Sequence, residues 1–600
     1  MSFNLLTIGS QAVQANQTAL STVGQNISNA NTEGYSRQRV ELVSRPNFSG
    51  VYVNNVERIA DQFLTQQLWS DQSSYSMTST YADMSGQLDN LLAAQTTSVS
   101  AALDDYFSAL QNVVDDPVSI PNRELFIAQS DALVKRFNSL DANLRRQEEM
   151  VNTQIDGLAS QVTTLASNIA GLNEKIKIAD TANKPSNDLR DQRDVLTNQL
   201  SEIVAVRVLE PNTSEYSIFI GNGQPLVVGA KANEMVAVQG NPDSTQKELS
   251  LLIAGNLADV NDELSGGKIG GLLQYRDQGL SEARDELGRI AIVFADSMNE
   301  QHKSGLNLNN ELGGALFSEV NADAKQFKRI VANANNSAMP APGNPPRVEI
   351  QDVSQLKATD YSLVYGGTNQ ITLIRNSDGK QTSIQQLTAA ADAASVTQQQ
   401  YYLDPTGKQL SFAVDGFKVT IDTSTALARG DGFLIQPVRS GADDLSLVIQ
   451  DGRELALASP IRIKPDSDNQ GNGVASVKVT DPSVVVINNN QLVPPVDIVF
   501  NNTTPDMTYS VYDMSEPTNP QVLSSNQAYV PGAAIQFTGY AVTIDNQPRP
   551  GDRFSFEFNK DGVSDNRNAL AISDLQKTDL LPDGDYQDLY GSLLERVGSR

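Results

Sequence analysis

The stretch VNTQIDGLASQVTTLASNIAGLNEKI, residues 151–176, places Val151, Ile155, Leu158, Val162, Leu165, Ile169, Leu172 and Ile176 at alternating steps of four and three. One apolar stripe at that spacing predicts a single long straight helix, packed against another at a shallow crossing angle. Leu133, Phe137, Leu140 and Leu144 continue the stripe upstream, and the charged run RRQEEM (145–150) shifts its phase by one residue. A second helix, around 86–115, carries Leu103, Phe107, Leu110 and Val114 at the same spacing. Asp116-Pro117 ends it, because the residue before a proline is pushed out of the helical region, and Pro121 suits the first turn of the next helix. NDLRDQRDVLTNQLSEIV (187–204) puts Leu189, Leu196, Leu200 and Ile203 on one face, and helical pattern returns over 269–300. These segments read as a helical-bundle scaffold.

Elsewhere the period changes to two. YSIFIGNGQPLVVG (216–229) reads as two short strands around a Gly-Asn-Gly turn, hence a hairpin and not a phosphate loop. After the Pro-rich boundary NSAMPAPGNPP (336–346), short alternating runs of Val, Ile, Thr and Tyr extend to about residue 558. This region repeats itself. GFKVTIDTSTALARGDGFLIQP (416–437) parallels GYAVTIDNQPRPGDRFSFEF (539–558), so two related β units are expected. The repeat disposes of the adhesion tripeptide Arg429-Gly430-Asp431: its second copy keeps Gly551-Asp552 but begins with Pro550, which marks Gly-Asp as hairpin chemistry.

Six hundred residues exceed one hydrophobic core and predict three or four domains. A net charge of −27 argues against nucleic acid and against anionic lipid as partners. No run of 18 apolar residues is present, so no membrane-spanning helix is expected. The chain has no cysteine and one histidine, His302, which excludes thiolate nucleophiles, disulfides and multi-His metal sites. DSDNQGNGVASV (466–477) begins like a calcium loop but has Val477 where the bidentate Glu belongs, and reads as a polar turn. HKSGLNLNNELGGALF (302–317) reads as a turn or helix cap, with no Ser/Asp pair at catalytic spacing. No catalytic residue, cofactor site or metal site is expected, and these limits count against an enzyme.

The N-terminus holds the functional signal. The first 32 residues carry no charge, and Leu6, Val13, Leu20 and Ile27 recur every seven residues with Val23 among them. A helix with this neutral seam is marginal alone and needs a partner that buries it. It is followed by NISNANTEGYSRQRV (26–40), dense in Asn, Ser and Gly. There Asn26, Ile27, Asn29, Ala30, Asn31, Thr32, Gly34, Tyr35 and Ser36 resemble the N-terminal signature of bacterial flagellar axial proteins, the rod, hook and hook-associated components. NDLRDQRDVLTNQLSEIV, IFIGNGQPLVVG, GGLLQYRDQGLSEARDELGRIAIVFADSMNEQHKSGLNLN (270–309) and SDNRNALAISDLQ (564–576) are similar, within that family, to the hook-associated proteins of the hook–filament junction. The resemblance covers 1–320 and 564–600 well, and 340–560 loosely.

The resemblance implies an α+β, multidomain, elongated molecule. Terminal helices would form a coiled-coil-like core and a helical bundle, with β-rich outer domains inserted. The boundaries expected are 1–45 for the core helix and signature, 46–330 for the bundle with a β-hairpin element at about 205–260, 331–455 and 456–560 for two outer β domains, and 561–600 for the return to the bundle. It implies export unfolded through the flagellar type III apparatus, which fits an N-terminus without a basic, apolar secretory leader and a chain without cysteine. It implies as partners further copies of the chain in a ring, the hook protein, the second junction protein and an export chaperone, with the protein secreted to the flagellum. Leu6, Val13, Leu20, Val23, Ile27, Asn29, Asn31, Gly34 and Tyr35 become the candidate subunit interface. Gly34 is expected at positive φ, ending the helix, and Tyr35 as an anchor. Family members end in a second heptad helix carrying the chaperone site, whereas this sequence stops at LLERVGSR, which reads as truncation, the alternative being a departure from the family. The alternatives are another axial component, such as a hook or distal rod protein, and more remotely a β-scaffold surface adhesin or hydrolase.

Overall fold

The computed structural model describes residues 2–44, 50–94, 98–210, 215–367, 370–387, 392–485, 487–488, 491–502 and 507–598. Its helices are α1 (Ser2–Ser28), α2 (Gln62–Ala93), α3 (Val99–Asp115), α4 (Ile120–Thr181), α5 (Asn187–Ile203), α6 (Gly267–Gln274), α7 (Ser281–Lys303), α8 (Asp323–Lys328), α9 (Arg567–Asp574) and α10 (Tyr586–Gly598). The remaining elements are chiefly antiparallel strands, so the class is α+β and multidomain. Two compact units result, residues 1–89 with 144–281 and residues 90–143 with 282–599.

The expected long helix is α4, 62 residues that continue through RRQEEM. In the first unit its stripe departs from the heptad reading. Ile155, Val162, Ile169 and Ile176 are fully buried, but the second buried column is Ala159, Ala166 and Asn173, while Leu158 and Leu165 are half-buried. The reason is that a β layer lies on that flank. Thr163 Oγ1 donates to the Met235 carbonyl at 3.0 Å and accepts from its N–H at 2.9 Å. Asn152 holds Thr245 O and Lys247 N at 2.9 Å each. Small residues let the strands come close enough for those bonds, which leucines would block.

The strands of that layer form two antiparallel sheets. One orders Val206–Leu209, Ser217–Ile220, Gln224–Val228 and Lys231–Ala232; the other orders Glu234–Gln239, Lys247–Ile253 and Asn256–Asp259. The Gly-Asn-Gly hairpin is the Ser217–Ile220/Gln224–Val228 pair. A single helix over 86–115 is not found. α2 ends at Ala93 and α3 restarts at Val99, where Ser98 accepts a bond from Ser100 N and so caps a new helix. Asp116 ends α3 as Asp116-Pro117 predicts.

In the second unit, Tyr106, Phe126, Phe137, Phe294, Phe317 and Tyr586 form one aromatic cluster, with ring centroids 4.9 to 6.4 Å apart and mostly edge-on or tilted. His302, at the end of α7, is fully buried. Its Nδ1 lies 2.8 Å from Gly314 O and its Nε2 accepts from Ala456 N at 2.9 Å, so the ring is neutral with the proton on Nδ1. It is a staple between chain segments. Burial lowers its pKa to about 4. A histidine depressed in the fold binds its proton more readily when unfolded, so its contribution is fully present above pH 6.5 and is lost as pH falls towards 4, by about 3 kcal/mol in all. Asp296, raised to about 6 by burial and then by Glu300, titrates in the same window with the opposite sign. The comparison with His302→Asn removes Asp296 and every other group. In urea unfolding at pH 7 and pH 4, the stability advantage of the native protein over His302→Asn shrinks by about 3 kcal/mol at the lower pH; an unchanged advantage would refute the buried neutral ring.

The sequence repeat is a duplication of structure. One five-stranded sheet orders Ile330–Ala332, Gly432–Ile435, Tyr361–Gly367, Gln370–Arg375 and Lys380–Thr382. The second copy orders Ile461–Pro465, Arg553–Phe558, Val496–Asn502, Met507–Asp513 and Gln521–Ala528 in the same sequence of pairings. Asp431 accepts from Ser337, Ala338 and Ala428 N–H groups at 2.7 to 3.2 Å, and Asp552 from Gln470, Gly471 and Arg549 at 2.7 to 3.0 Å. Asn336 clasps both backbone groups of Gly432, and Asn469 those of Arg553. Gly430 and Gly551 take φ +95° and +94°. The Asp431 carboxylate is thus buried and committed to backbone, and the calcium-like DSDNQG is the second copy of this polar turn.

Candidate assembly surface

α1 turns the usual amphipathic order inside out. The face it lays on the hairpin Gln38–Ser44/Val51–Arg58 is small and polar, with Ala15 and Thr22 buried. The heptad seam points away from the unit. Leu6 is 77% exposed, Val13 56%, Leu20 73% and Ile27 73%, and Val23 is exposed beside them. Leu5, Leu6, Gly9 and Val13 line a shallow apolar trough on this face. Six large apolar side chains are left in water along one helix, a continuous apolar stripe of the kind that in soluble proteins marks an interaction surface.

The signature that follows fastens α1 to the rest of its unit. Asn29 caps the helix end, its Nδ2 donating to Gln25 O at 3.0 Å. Asn31 is exposed in the turn. Asn26 forms a two-bond bridge to Gln38, donating to its carbonyl at 2.8 Å and accepting from its N–H at 2.9 Å. Tyr35 OH donates to the same Asn26 Oδ1 at 2.9 Å. Burial, then the carboxylates of Asp188 and Asp191, raise the Tyr35 phenol above its ordinary value. Ser36 N donates to Asp191 Oδ2 at 3.1 Å, and Arg58 pairs with Asp191 at 2.9 Å and with Asp194.

Gly34 stands at φ +76°, and a Cβ there would fall 2.1 Å from Val195 Cγ2 of α5. Gly34→Ala therefore destabilises the unit by about 2 kcal/mol, through left-handed strain and the clash. Gly9→Ala, with open space around it in α1, changes stability in the opposite sense by about 1 kcal/mol. Paired urea denaturation curves check both signs.

α5 anchors this arrangement with an unexpectedly polar face. Leu200 and Ile203 are buried, but Leu189 and Leu196 are only half-buried, while Asp191, Arg193, Thr197 and Ser201 are buried. Arg193 is the centre. Its guanidinium lies 3.2 Å from the centroid of the Tyr216 ring, donates to Asn173 Oδ1 at 3.0 Å and pairs with Glu210 at 3.5 Å. Tyr216 OH donates to Asp194 Oδ1 at 2.8 Å, and Asn173 also clasps Tyr216 N and O. Burial raises the Tyr216 phenol and lowers the Arg193 guanidinium from their ordinary values.

Sequence reading singled out Gly34 and Tyr35 but not Asn26, Gln38, Arg58, Asp191 or Arg193 as contact makers. The signal available was Asp and Arg at steps of two and three in NDLRDQRD, too short-ranged to name partners some 150 residues away. No cluster of three or more metal-ligating side chains occurs among the described residues, and none of the described helices is long and apolar enough to cross a membrane.

A polar-clasped helix with a bare apolar seam, followed by a helical bundle and paired β domains, defines an axial assembly protein, and the comparisons name its kind. Residues 85–317 match the family model "Flagellar hook-associated protein FlgK helical domain", 331–437 match "Flagellar hook-associated protein 1, D2-like domain", and 6–35 match "Flagella basal body rod protein". The chain is 32% identical over 499 residues to flagellar hook-associated protein 1 of Salmonella typhimurium, across 80% of this chain and 84% of that protein. It is 31% identical over 497 residues to the Escherichia coli protein of the same name, with the same coverage. The solved structure of the flagellar hook junction protein FlgK from Burkholderia pseudomallei superposes with a TM-score of 0.72 at 26% identity, covering 89% of this chain and 95% of that one. The chain belongs to the flagellar hook-associated protein 1 family. It is a hook-associated structural component of the external flagellum and not an enzyme.

Proposed function

We propose that the protein forms a ring at the distal end of the hook and joins the hook to the filament through its α1 seam. The observation that carries this is the neutral seam of Leu6, Val13, Leu20, Val23 and Ile27, exposed on α1 while Asn26, Tyr35 and Gln38 lock the helix base. In the ring the seam buries against terminal helices of neighbouring subunits, and Asn29, Asn31, Gly34 and Tyr35 lie where the core helix meets the bundle. Each contact is modest and the ring multiplies them. The partners are further copies of the chain, the hook protein below and the second junction protein above. An export chaperone accompanies the chain to the flagellar type III apparatus.

Electron microscopy of purified hooks, incubated with the protein and then with the second junction protein and flagellin, tests the reading. The expected result is a ring at the hook tip that is required for filament growth. Hooks that never acquire the protein would place it elsewhere in the flagellum.

A further inference from the structure

A second apolar stripe stands in water on α2. Trp69, Ser73, Met84 and Leu88 form the inner face of that helix and are buried. On the outer face Leu64, Leu68 and Tyr75 follow at steps of four and seven, with Phe63 beside them, and Phe63 and Tyr75 are 73% and 70% exposed. From Gln62 to Ala82 the one charge is Asp71, and α2 holds no lysine or arginine. In a chain that is 19% charged, α1 and this part of α2 share their neutrality.

α1 has room for a second helix. Its exposed apolar band runs from Leu6 round to Leu5 and Val23, about 100° of the circumference. That is broader than the two-column seam of a coiled coil, so one side of the band can meet terminal helices and its flank a further helix. Along the flank lie two holes of four residues, seven residues apart: Gly9, Ala12, Val13 and Asn16, then Asn16, Ala19, Leu20 and Val23. Open space surrounds the position where Gly9 would carry a Cβ, which leaves the first hole the roomier.

We propose that α2 of one copy lies antiparallel along the flank of α1 of the next, with Tyr75 in the first hole and Leu68 in the second. This rests on the ring reading and names a further surface, beside the terminal helices, that covers α1. The register follows from the spacing, since both the knobs and the holes are seven residues apart. It sets Asp71 beside Asn16, which can donate to it, and Leu64 beside Val23; the parallel alignment would set Asp71 on Ala12. Both faces are exposed in the same chain, so neither covers the other within one copy. Joined between copies the contact is head-to-tail: each copy gives α1 to one neighbour and α2 to the other, the arrangement that closes into a ring. Charge selects the same occupant. Copies with a net charge of −27 repel one another over most of their surface, and two neutral helices meet without that cost.

The chain has no cysteine, so single cysteines report the contact. Purified full-chain variants are oxidised mildly at about 1 mM, the concentration a tethered neighbour experiences. No hook is present, so failure here is distinct from failure in the hook assay. Val23→Cys alone and Leu64→Cys alone stay monomeric. Mixed, they yield a dimer joined between the two cysteines, and the double variant yields a ladder of multimers, as a head-to-tail contact requires. Ser70→Cys, exposed on another side of α2, gives no dimer with Val23→Cys. Gly9→Leu added to the Val23→Cys chain fills the first hole and abolishes the mixed dimer, while melting is not lowered, because leucine favours a helix over glycine. A mixture that cross-links no more than its single variants, or a mixed dimer that survives Gly9→Leu, overturns the proposal.

Discussion

Replacing Leu20 with Asp abolishes incorporation at the hook and leaves the folded protein as stable as before. Leu20 is 73% exposed on α1, so the substitution costs within about 0.5 kcal/mol of native stability. Once a neighbouring helix covers the seam, the new carboxylate is taken out of water with no partner, in a helix without a single charge. That costs several kcal/mol per subunit contact, and a ring repeats the penalty at every interface. Val13→Asp behaves the same way. Thr22→Asp is the opposite control: Thr22 faces the hairpin and is buried, so its change damages the fold itself. Soft-agar motility and microscopy of hooks read the assembly, and thermal melting of the purified chain reads the fold. A motile strain carrying Leu20→Asp would remove the seam from the interface.

Arg193→Ala should be among the most destabilising single changes in the first unit, at about 3–5 kcal/mol. The residue is fully buried, and its removal takes a donor from Asn173, a counter-charge from Glu210 and the cation from the face of Tyr216. It also leaves a cavity between Asn173 and the Tyr216 ring. Arg190→Ala three residues earlier costs under about 1 kcal/mol, because its pairs with Asp180 and Glu210 are partly in water. Arg193→Met falls between, since it restores volume but no hydrogen bond. The protein supplies its own reporter. Trp69 is the only tryptophan, and its ring meets Tyr216 edge-on at 6.2 Å, so urea unfolding followed by its fluorescence reads this unit alone.

The helices were legible because periodicity is local. Val151 to Ile176 announces its helix through spacing alone, and Asp116-Pro117 announces a stop through backbone sterics. The repeat was legible because two copies of Gly-aromatic-x-Val-Thr-Ile-Asp can be laid over each other without knowing any contact. That comparison also disarmed the Arg-Gly-Asp tripeptide before Asp431 was seen accepting three backbone bonds. Much less of the candidate site was legible. Gly34 and Tyr35 stood out through the signature they share with the axial proteins, but the partners that make them matter, Val195 and Asn26, depend on how distant or intervening segments fold back.

By itself the sequence determined the helical scaffold, the doubled β units, the exclusion of thiol and multi-His chemistry, and a neutral apolar seam in need of a partner. Tertiary structure alone decided that the seam faces outward, that α4 packs its alanines and Asn173 on a β layer, that α5 buries arginine and aspartate, and that His302 is a neutral staple. The physical reason is one of range. Periodicity says that a face is apolar, but which face meets water is set by what lies across from it, and a buried charge is tolerated only where partners from distant segments converge to pair it.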